Sequence, residues 1–283
     1  MATEMSSLCA EQEKYRIMLI GKVGSAKKWA IETILNSSEE CEEPSETKIN
    51  LDPKECQCFR VKIEGRDVVV FDTPGLCHTE RSDEETMKEI KTCISRDKSG
   101  LHGFLVVLDL EPFTQEEKDM VQMIDSSLGK SVKDYMMPLF VRGNELKERG
   151  KTIQQFISDN TDLKEFADGC RGKPCVIDHR NQDPTQVENL LQQISNMVKD
   201  NKAEKRSCYT TNMMQRAESI AENKKKMALS ANSGALVGAT IGGAASYSVS
   251  SWIGIAAGIL AGAFVGGLMG IAGIVAYIRA KRH

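Results

Sequence analysis

The chain alternates short, mainly apolar runs with longer stretches in which apolar and charged positions are mixed. Tyr15 to Ile20 form an apolar run that stops at Gly21, and residues 29–36 continue with helix-tolerant side chains, so the pattern predicts strand, turn and helix. Buried strands are predicted likewise at 103–110, within 135–146 and at 173–179. Amphipathic helices are predicted within 113–129 and at 186–200.

Two local signals sharpen this pattern. Residues 59–75 predict a hairpin, with an alternating strand from Phe59, a turn at Gly65-Arg66 and an apolar strand from Val68 to Phe71. Thr114, followed by Glu117 three residues later, predicts a capping box at the start of the first amphipathic helix.

The predicted fold class is α/β, with a mainly parallel central sheet and helices on both of its faces. Continuous apolar strands separated by amphipathic helices are typical of such sheets. Ligands bind these folds at the carboxyl ends of the strands. The unusual polar and glycine residues of this chain follow the predicted strands, so that edge of the sheet is the candidate site.

Composition divides the molecule into a charged part and an apolar part. The mean hydropathy of −0.33 conceals a stretch from Met227 to Ile278 that contains no Asp, Glu, Lys or Arg. The net charge of −3 does not favour nucleic acid as a partner. The nine cysteines, an odd number, and the polar opening segment favour a reducing compartment with free thiols.

Residues 21–28 resemble the phosphate loop G-x-x-x-x-G-K-[ST]. Backbone N–H groups of such a loop and of the helix that follows bind anions, and Lys27 stands where the phosphate-contacting lysine belongs. Ala26 replaces the second glycine, and Lys28 replaces the hydroxyl that would hold Mg²⁺. Lys28 is open to two interpretations, as an ammonium in the place of the metal or as a solvated helix lysine.

Three further strand ends carry candidate chemistry. Asp72-Thr73-Pro74-Gly75 offers a carboxylate that could contact Mg²⁺ through water and a glycine N–H that could sense a terminal phosphate. The segment "FVRGNEL" places Asn144, followed by Glu145, where guanine-binding folds have an aspartate, which predicts weakened guanine selectivity. The segment "CVIDHRN" is where loop residues usually back the base.

In this order and spacing the motifs resemble the GIMAP family, the AIG-type immunity-associated GTPases related to septins and Toc GTPases. The residues that match the family pattern are Gly21, Gly24, Ser25 and Lys27 of the phosphate loop, the switch threonine Thr47, all of Asp72 to Gly75, and Arg142, Glu145 and Leu146. The chain departs from the family pattern at Ala26, Lys28, Val141 and Asn144, and has Asp178-His179 where the family has Asn-Asn. The resemblance implies a GTP-binding domain with slow hydrolysis and nucleotide-dependent dimerisation.

The residues predicted to bind GTP or GDP are Gly21, Lys22, Val23, Gly24, Ser25, Ala26, Lys27, Lys28, Thr47, Asp72, Gly75, Arg142, Asn144, Glu145 and Asp178. No residue is assigned as catalytic. A Mg²⁺ contact is predicted only through water at Asp72, and three altered nucleotide motifs put metal-dependent hydrolysis in doubt.

The predicted domains are a flexible segment at 1–12, a G domain at 13–205, a basic helical extension at 206–232, an apolar segment at 233–278 and a basic tail at 279–283. Within the apolar segment glycine recurs every fourth residue from Gly254 to Gly270, which favours close helix packing in a membrane. One span or a helical hairpin fits its length. Basic residues at both flanks favour the hairpin, with both ends cytosolic at an intracellular membrane.

The sequence therefore predicts a membrane-anchored guanine-nucleotide-binding protein, a slow or inactive GTPase that acts as a nucleotide-regulated scaffold with related G domains. The alternative is a pseudo-GTPase that binds no nucleotide and works through membrane and protein contacts. A phosphate-loop ATPase or kinase is a third interpretation, and the Arg-x-x-Glu-Leu motif favours guanine over it by resemblance.

Overall fold

The strands of a computed structural model form one sheet in the described part of the chain, residues 14–42, 54–181, 183–223 and 226. They are β1 Tyr15–Gly21, β2 Glu40–Glu42, β3 Gln57–Ile63, β4 Arg66–Asp72, β5 Gly103–Asp109, β6 Met136–Val141 and β7 Cys175–Val176. Their order is β2-β3-β4-β1-β5-β6-β7, and the pairings of β1 with β4 and β5, of β5 with β6 and of β6 with β7 are parallel. The mainly parallel sheet is therefore confirmed, with antiparallel pairing confined to β2, β3 and β4.

Helices cover both faces of this sheet, as predicted. They are α1 Ser25–Asn36, α2 Asp83–Arg96, α3 Gln115–Leu128, α4 Asn144–Glu148, α5 Ile153–Ser158, α6 Thr161–Gly169 and α7 Thr185–Ala203, and a further helix spans residues 211–223. Alternate side chains of β1 enter two separate cores because strand side chains have a period of two. Met18 and Ile20 pack with α2, α3 and α6, whereas Ile17 and Leu19 pack with α1 and α7.

The local signals in the sequence are confirmed. The β3–β4 hairpin is antiparallel with Ile63 opposite Arg66. The Thr114 side chain accepts the N–H of Glu117, and the Glu117 carboxylate accepts the N–H of Thr114 at 2.9 Å, which completes the capping box of α3. The strand predicted at 173–179 is wrong in length, because the chain pairs as a strand only at Cys175–Val176.

This shortening of β7 has a local cause. Ile177 still donates its N–H to Phe140 O at 2.9 Å, and its own carbonyl accepts the N–H of Gly143 at 3.1 Å. The next residue, Asp178, uses its carboxylate to accept the N–H of Asn144 and of Arg180. The chain therefore leaves the sheet to form a loop beside α4, and this loop becomes part of the candidate site.

Helix α2 was missed by the sequence analysis although its signals are present. Ser82 caps the helix by accepting the N–H of Glu85 at 3.3 Å, and three acidic residues fill the first turn, where the helix dipole favours them. Met87, Ile90 and Ile94 are buried at helical spacing. A search for a cap followed by apolar positions three and four apart would have found it.

The C-terminal predictions fall mostly outside the described residues. The segments 1–12, 233–278 and 279–283 and the switch threonine Thr47 are not described. A first compact unit runs to Ala217, and of the second, residues 218–283, the structure describes only 218–223 and 226. Within the residues that are described, no helix is both long and apolar enough to cross a membrane.

Candidate functional site

The phosphate loop connects the carboxyl end of β1 to the first turn of α1. Gly24 occupies the N-cap position with a φ of 138°, a conformation that disfavours a side chain, and α1 begins at the next residue, Ser25. Having no side chain, Gly24 caps none of the helix N–H groups, which leaves them available to an anion. Ala26, the substituted glycine position, packs against the core that contains α1, so its methyl group is accommodated.

Lys27 is almost completely buried, at 2% exposure. Its ammonium lies 3.5 Å from Asp72 Oδ1 and donates a hydrogen bond to the carbonyl of Thr73. The Thr73 hydroxyl in turn donates to Leu19 O at 2.7 Å, which anchors the segment to β1. The sequence predicted Lys27 and Asp72 as site residues separately, and the structure joins them as an ion pair.

Backbone hydrogen bonds of Leu76, the residue after the Asp72–Gly75 segment, hold this segment against the phosphate loop. Leu76 donates its N–H to Gly21 O at 3.0 Å and accepts the N–H of Val23 at 2.8 Å. A Cβ at Gly75 would lie 2.5 Å from Val23 Cα, so only glycine permits this approach. The two segments predicted to contact phosphate therefore pack directly against each other.

The other lysines of the loop point to acidic partners on helices. Lys28 lies 3.5 Å from Glu32 on the partly exposed surface of α1, which matches its interpretation as a helix-surface lysine. Lys22 lies 2.6 Å from Glu116 of α3. Burial alone would lower the pKa of Lys22, but the hydrogen bond and the charge of Glu116 outweigh it and raise that pKa above its ordinary value.

Arg142, directly after β6, is the centre of an acidic cluster. Its guanidinium contacts Glu111 at 2.8 Å and Glu145 at 2.7 Å, and also pairs with Asp109 at the end of β5. Burial alone would lower the pKa of Arg142, but hydrogen bonds to Glu111 and Asp109 raise it. Asp109 was not predicted as a site residue, although it lies at the carboxyl end of β5, the edge at which the other site residues lie.

A hydrogen bond between Asn144 and Asp178 joins the loops that follow β6 and β7, the end of the site where the base is predicted to bind. The Asn144 N–H donates to Asp178 Oδ2 at 3.1 Å, and the Asn144 side-chain amide donates to Glu148 at 3.2 Å. Asn144 Oδ1 and His179 Nδ1 are buried and have no hydrogen-bond partner among the residues the structure describes. Buried polar atoms without partners are costly, and they indicate a place where a ligand could complete the hydrogen bonding.

His179 also forms an aromatic contact that the sequence did not reveal. Its ring stacks on the indole of Trp29 with centroids 4.3 Å apart and planes 4° apart. Trp29, which is partly buried, also packs against the core that contains α1. Contacts between residues 29 and 179 are invisible to local patterns because they depend on the folded sheet.

The described residues do not fit a phosphate-loop magnesium site. Mg²⁺ requires hard oxygen ligands, and the phosphate-loop hydroxyl is replaced here by Lys28, which faces Glu32. The Asp72 carboxylate is already beside the Lys27 ammonium, which would repel a cation. No group of three or more His, Cys, Asp or Glu within the described part of the chain could hold a metal ion.

A glycine loop entering a helix at the end of β1, with further loops after β4, β6 and β7, defines a P-loop G domain. The family model described as "AIG1 family" matches residues 15–228, and this chain belongs to that family. The family predicted from the motifs is thereby confirmed.

Several known proteins are similar to this chain. Immune-associated nucleotide-binding protein 9 of Arabidopsis thaliana is 27% identical, over 66% of this chain and 56% of its own length. GTPase IMAP family member 8 of Mus musculus is 30% identical, over 68% of this chain and 28% of its own. A solved structure of Toc33 from Arabidopsis thaliana is 13% identical with a TM-score of 0.49, covering 66% of this chain and 85% of that one. The chain thus spans about half or less of the two sequence relatives.

Proposed function

We propose that this chain is a GIMAP-type guanine-nucleotide-binding scaffold that binds GTP and GDP without Mg²⁺ and hydrolyses GTP slowly or not at all. The observation that carries the proposal is the buried ammonium of Lys27 within the first turn of α1, beside the Asp72–Gly75 segment. A buried lysine next to uncapped helix N–H groups supplies positive charge and donors where phosphate oxygens would lie.

The loop that carries Asn144 offers a hydrogen-bond acceptor to a purine base. Asn144 Oδ1 can accept one hydrogen bond from the N–H groups on the guanine edge and so gain the partner it lacks within the described residues. An aspartate at this position would accept two such bonds with a negative charge. We therefore expect binding of guanine with modest discrimination against adenine.

Hydrolysis is the weaker part of the activity. Phosphoryl transfer depends on neutralising the charge that develops on the phosphate oxygens, and Mg²⁺ usually supplies much of that effect. Here Lys27 carries the charge stabilisation, together with Lys28 if it leaves its solvent-accessible pair with Glu32. Nucleotide exchange would then regulate the protein more than hydrolysis does.

Calorimetric titration of the full chain in detergent with GTP and GDP, in Mg²⁺ and again in EDTA, tests this proposal. We expect dissociation constants on the order of 1 µM that EDTA does not change. A large loss of affinity in EDTA would show a metal-dependent site and contradict the role given to the lysines. Absence of binding under both conditions would contradict nucleotide binding itself.

The alternative function, a pseudo-GTPase, is favoured by one specific observation. The Lys27 ammonium already has Asp72 and Thr73 as partners, and Gly75 packs on Val23, so the charged group expected to bind phosphate is occupied by the protein's own groups. The triple variant Ala26→Gly, Lys28→Ser, Asn144→Asp distinguishes the two functions in the same titration. Binding by the triple variant alone would show that the native chain has lost its nucleotide.

We further propose that residues 233–278 anchor the protein on the cytosolic face of an intracellular membrane, where it assembles with related G domains. The support is the absence of charge from Met227 to Ile278 and the glycine repeat. Deleting residues 230–283 is expected to move the protein from the membrane to the soluble fraction of a cell lysate. Continued sedimentation with membranes would contradict the anchor.

A further inference from the structure

The base end of the site already contains an aromatic ring of purine shape. The indole of Trp29 is a fused five- and six-membered ring, and it lies parallel to the His179 ring with centroids 4.3 Å apart. Trp29 comes two residues after Lys27 on α1, about 3 Å further along the helix axis. His179 follows Asp178, whose carboxylate holds the Asn144 loop. The stack therefore links α1, which begins at the phosphate loop, to the loop after β7.

A nucleotide has to occupy this same span. Its phosphates belong at the Gly24–Lys27 turn, and its base belongs at the Asn144 and Asp178 loops. A third ring between two stacked rings needs them to be about 7 Å apart, twice the optimal carbon contact distance. The observed spacing of 4.3 Å leaves no room for a base between Trp29 and His179.

We propose that the Trp29 indole is an internal purine mimic that occupies the base end of the nucleotide site against His179 and that an incoming base must displace. This inference rests on the proposed nucleotide binding and names the residue that regulates it. Displacement breaks the stack of Trp29 on His179 before a base can enter, so Trp29 lowers nucleotide affinity by the strength of that contact.

The surroundings of His179 allow such an exchange. A polar cavity of about 430 Å³ adjoins its ring. Its other lining residues are Thr33, Asn36, Ser37, Asn181 and Gln186. The cavity gives the two rings space to separate when the indole is displaced. His179 Nδ1, buried and without a hydrogen-bond partner in the described residues, loses no hydrogen bond when the stack opens.

Calorimetric titration of the full chain with GDP, compared with variants at the two ring positions, tests the inference. Trp29→Ala is expected to bind GDP about tenfold more tightly than the native chain, because the competing stack is gone. Trp29→Phe keeps a ring and is expected to stay close to the native affinity. His179→Ala removes the partner of the stack without altering α1, and is expected to tighten binding if Trp29→Ala does not fold.

The results separate the inference from the proposed function. A native chain that binds GDP, with Trp29→Ala and His179→Ala binding no more tightly, overturns the mimic and leaves nucleotide binding standing. Binding by the variants but not by the native chain supports the mimic and shows that it closes the native site. If the native chain and the folded variants all fail to bind, both ideas fall.

Tryptophan fluorescence supplies a second readout in the Trp252→Phe background, in which Trp29 is the remaining tryptophan of the sequence. Displacement predicts that GDP shifts the Trp29 emission to longer wavelength, because the indole leaves His179 for a more polar environment. Quenching without such a shift would show that the base stacks on an unmoved Trp29, and would overturn the mimic.

Discussion

Replacing Lys27 by methionine is expected to lower the free energy of unfolding by about 3–5 kcal/mol. Methionine retains much of the apolar stem, so the change removes mainly the ammonium. The Asp72 carboxylate, 2% exposed, then loses the cation 3.5 Å away, and the Thr73 carbonyl loses its donor. A buried charge stripped of its counterion is far more costly than the intact pair. Urea unfolding at pH 7, followed by circular dichroism, measures the loss.

The neighbouring lysine provides the matched control. Lys28→Met removes an ammonium of the same helix, but its pair with Glu32 is about one-third exposed, so the cost is expected to stay below about 1 kcal/mol. The double variant Lys27→Met, Asp72→Asn removes both charges and is expected to regain a large part of the stability. Equal losses in Lys27→Met and Lys28→Met would show that Lys27 is not held in a buried ion pair.

The order of strands and helices could be predicted because each sequence signal for them is local. A continuous apolar run such as "GFLVVLDL" marks a buried strand, and Thr114 with Glu117 marks a helix start, whatever the rest of the chain does. The site loops were located by the rule that ligands bind at carboxyl ends of parallel strands. That rule correctly brought Gly21, Asp72 and Arg142 to one edge of the sheet.

The pairings within the site were not readable, because they join residues distant in sequence. The Trp29–His179 stack and the bonds from Arg142 to Asp109 and Glu111 depend on the strand order, which local periodicity does not specify. Helix α5 has too few turns for a clear apolar period, whereas α6 buries Leu163, Phe166 and Ala167 at helical spacing and was not predicted either. The sequence thus predicted which residues lie at this edge of the sheet, but not the ion pairs and ring contacts that they form with one another there.

Replacing Arg142 by methionine has the second large expected effect, a loss of about 2 kcal/mol in the free energy of unfolding at pH 7 that comes mainly from Asp109. Arg142 is the cation that lies among three carboxylates, and its own side chain is 19% exposed. Without it, Asp109 and Glu111 lose the guanidinium that they contact, whereas Glu145 keeps its pair with Arg149 at 2.8 Å, and the carboxylates repel one another at the end of β5 and the start of α4. The expected loss of stability is smaller than for Lys27→Met because solvent screens the more exposed partners of Arg142.

The pH dependence of the stability difference distinguishes lost charge pairing from lost packing, because only charge pairing depends on ionised carboxylates. The hydrogen bond and charge of Arg142 hold the pKa of Glu111 below its ordinary value of 4.5. The part of the stabilisation that depends on the Glu111 carboxylate is therefore present above pH 4.5 and is lost as the pH falls through the lower folded-state pKa of Glu111. The difference between the native chain and Arg142→Met is expected to shrink in that acid range.

Urea unfolding at pH 7 and at pH 4 measures this change, with Lys151→Met as the control. Lys151 pairs with one exposed carboxylate, Asp159, so its loss is expected to be below about 1 kcal/mol at either pH. A difference between the native chain and Arg142→Met that is the same at both pH values would assign the loss to packing. A shrinking difference would show that Arg142 stabilises the base end by holding acidic groups together, so that the loop carrying Asn144 is positioned by charge.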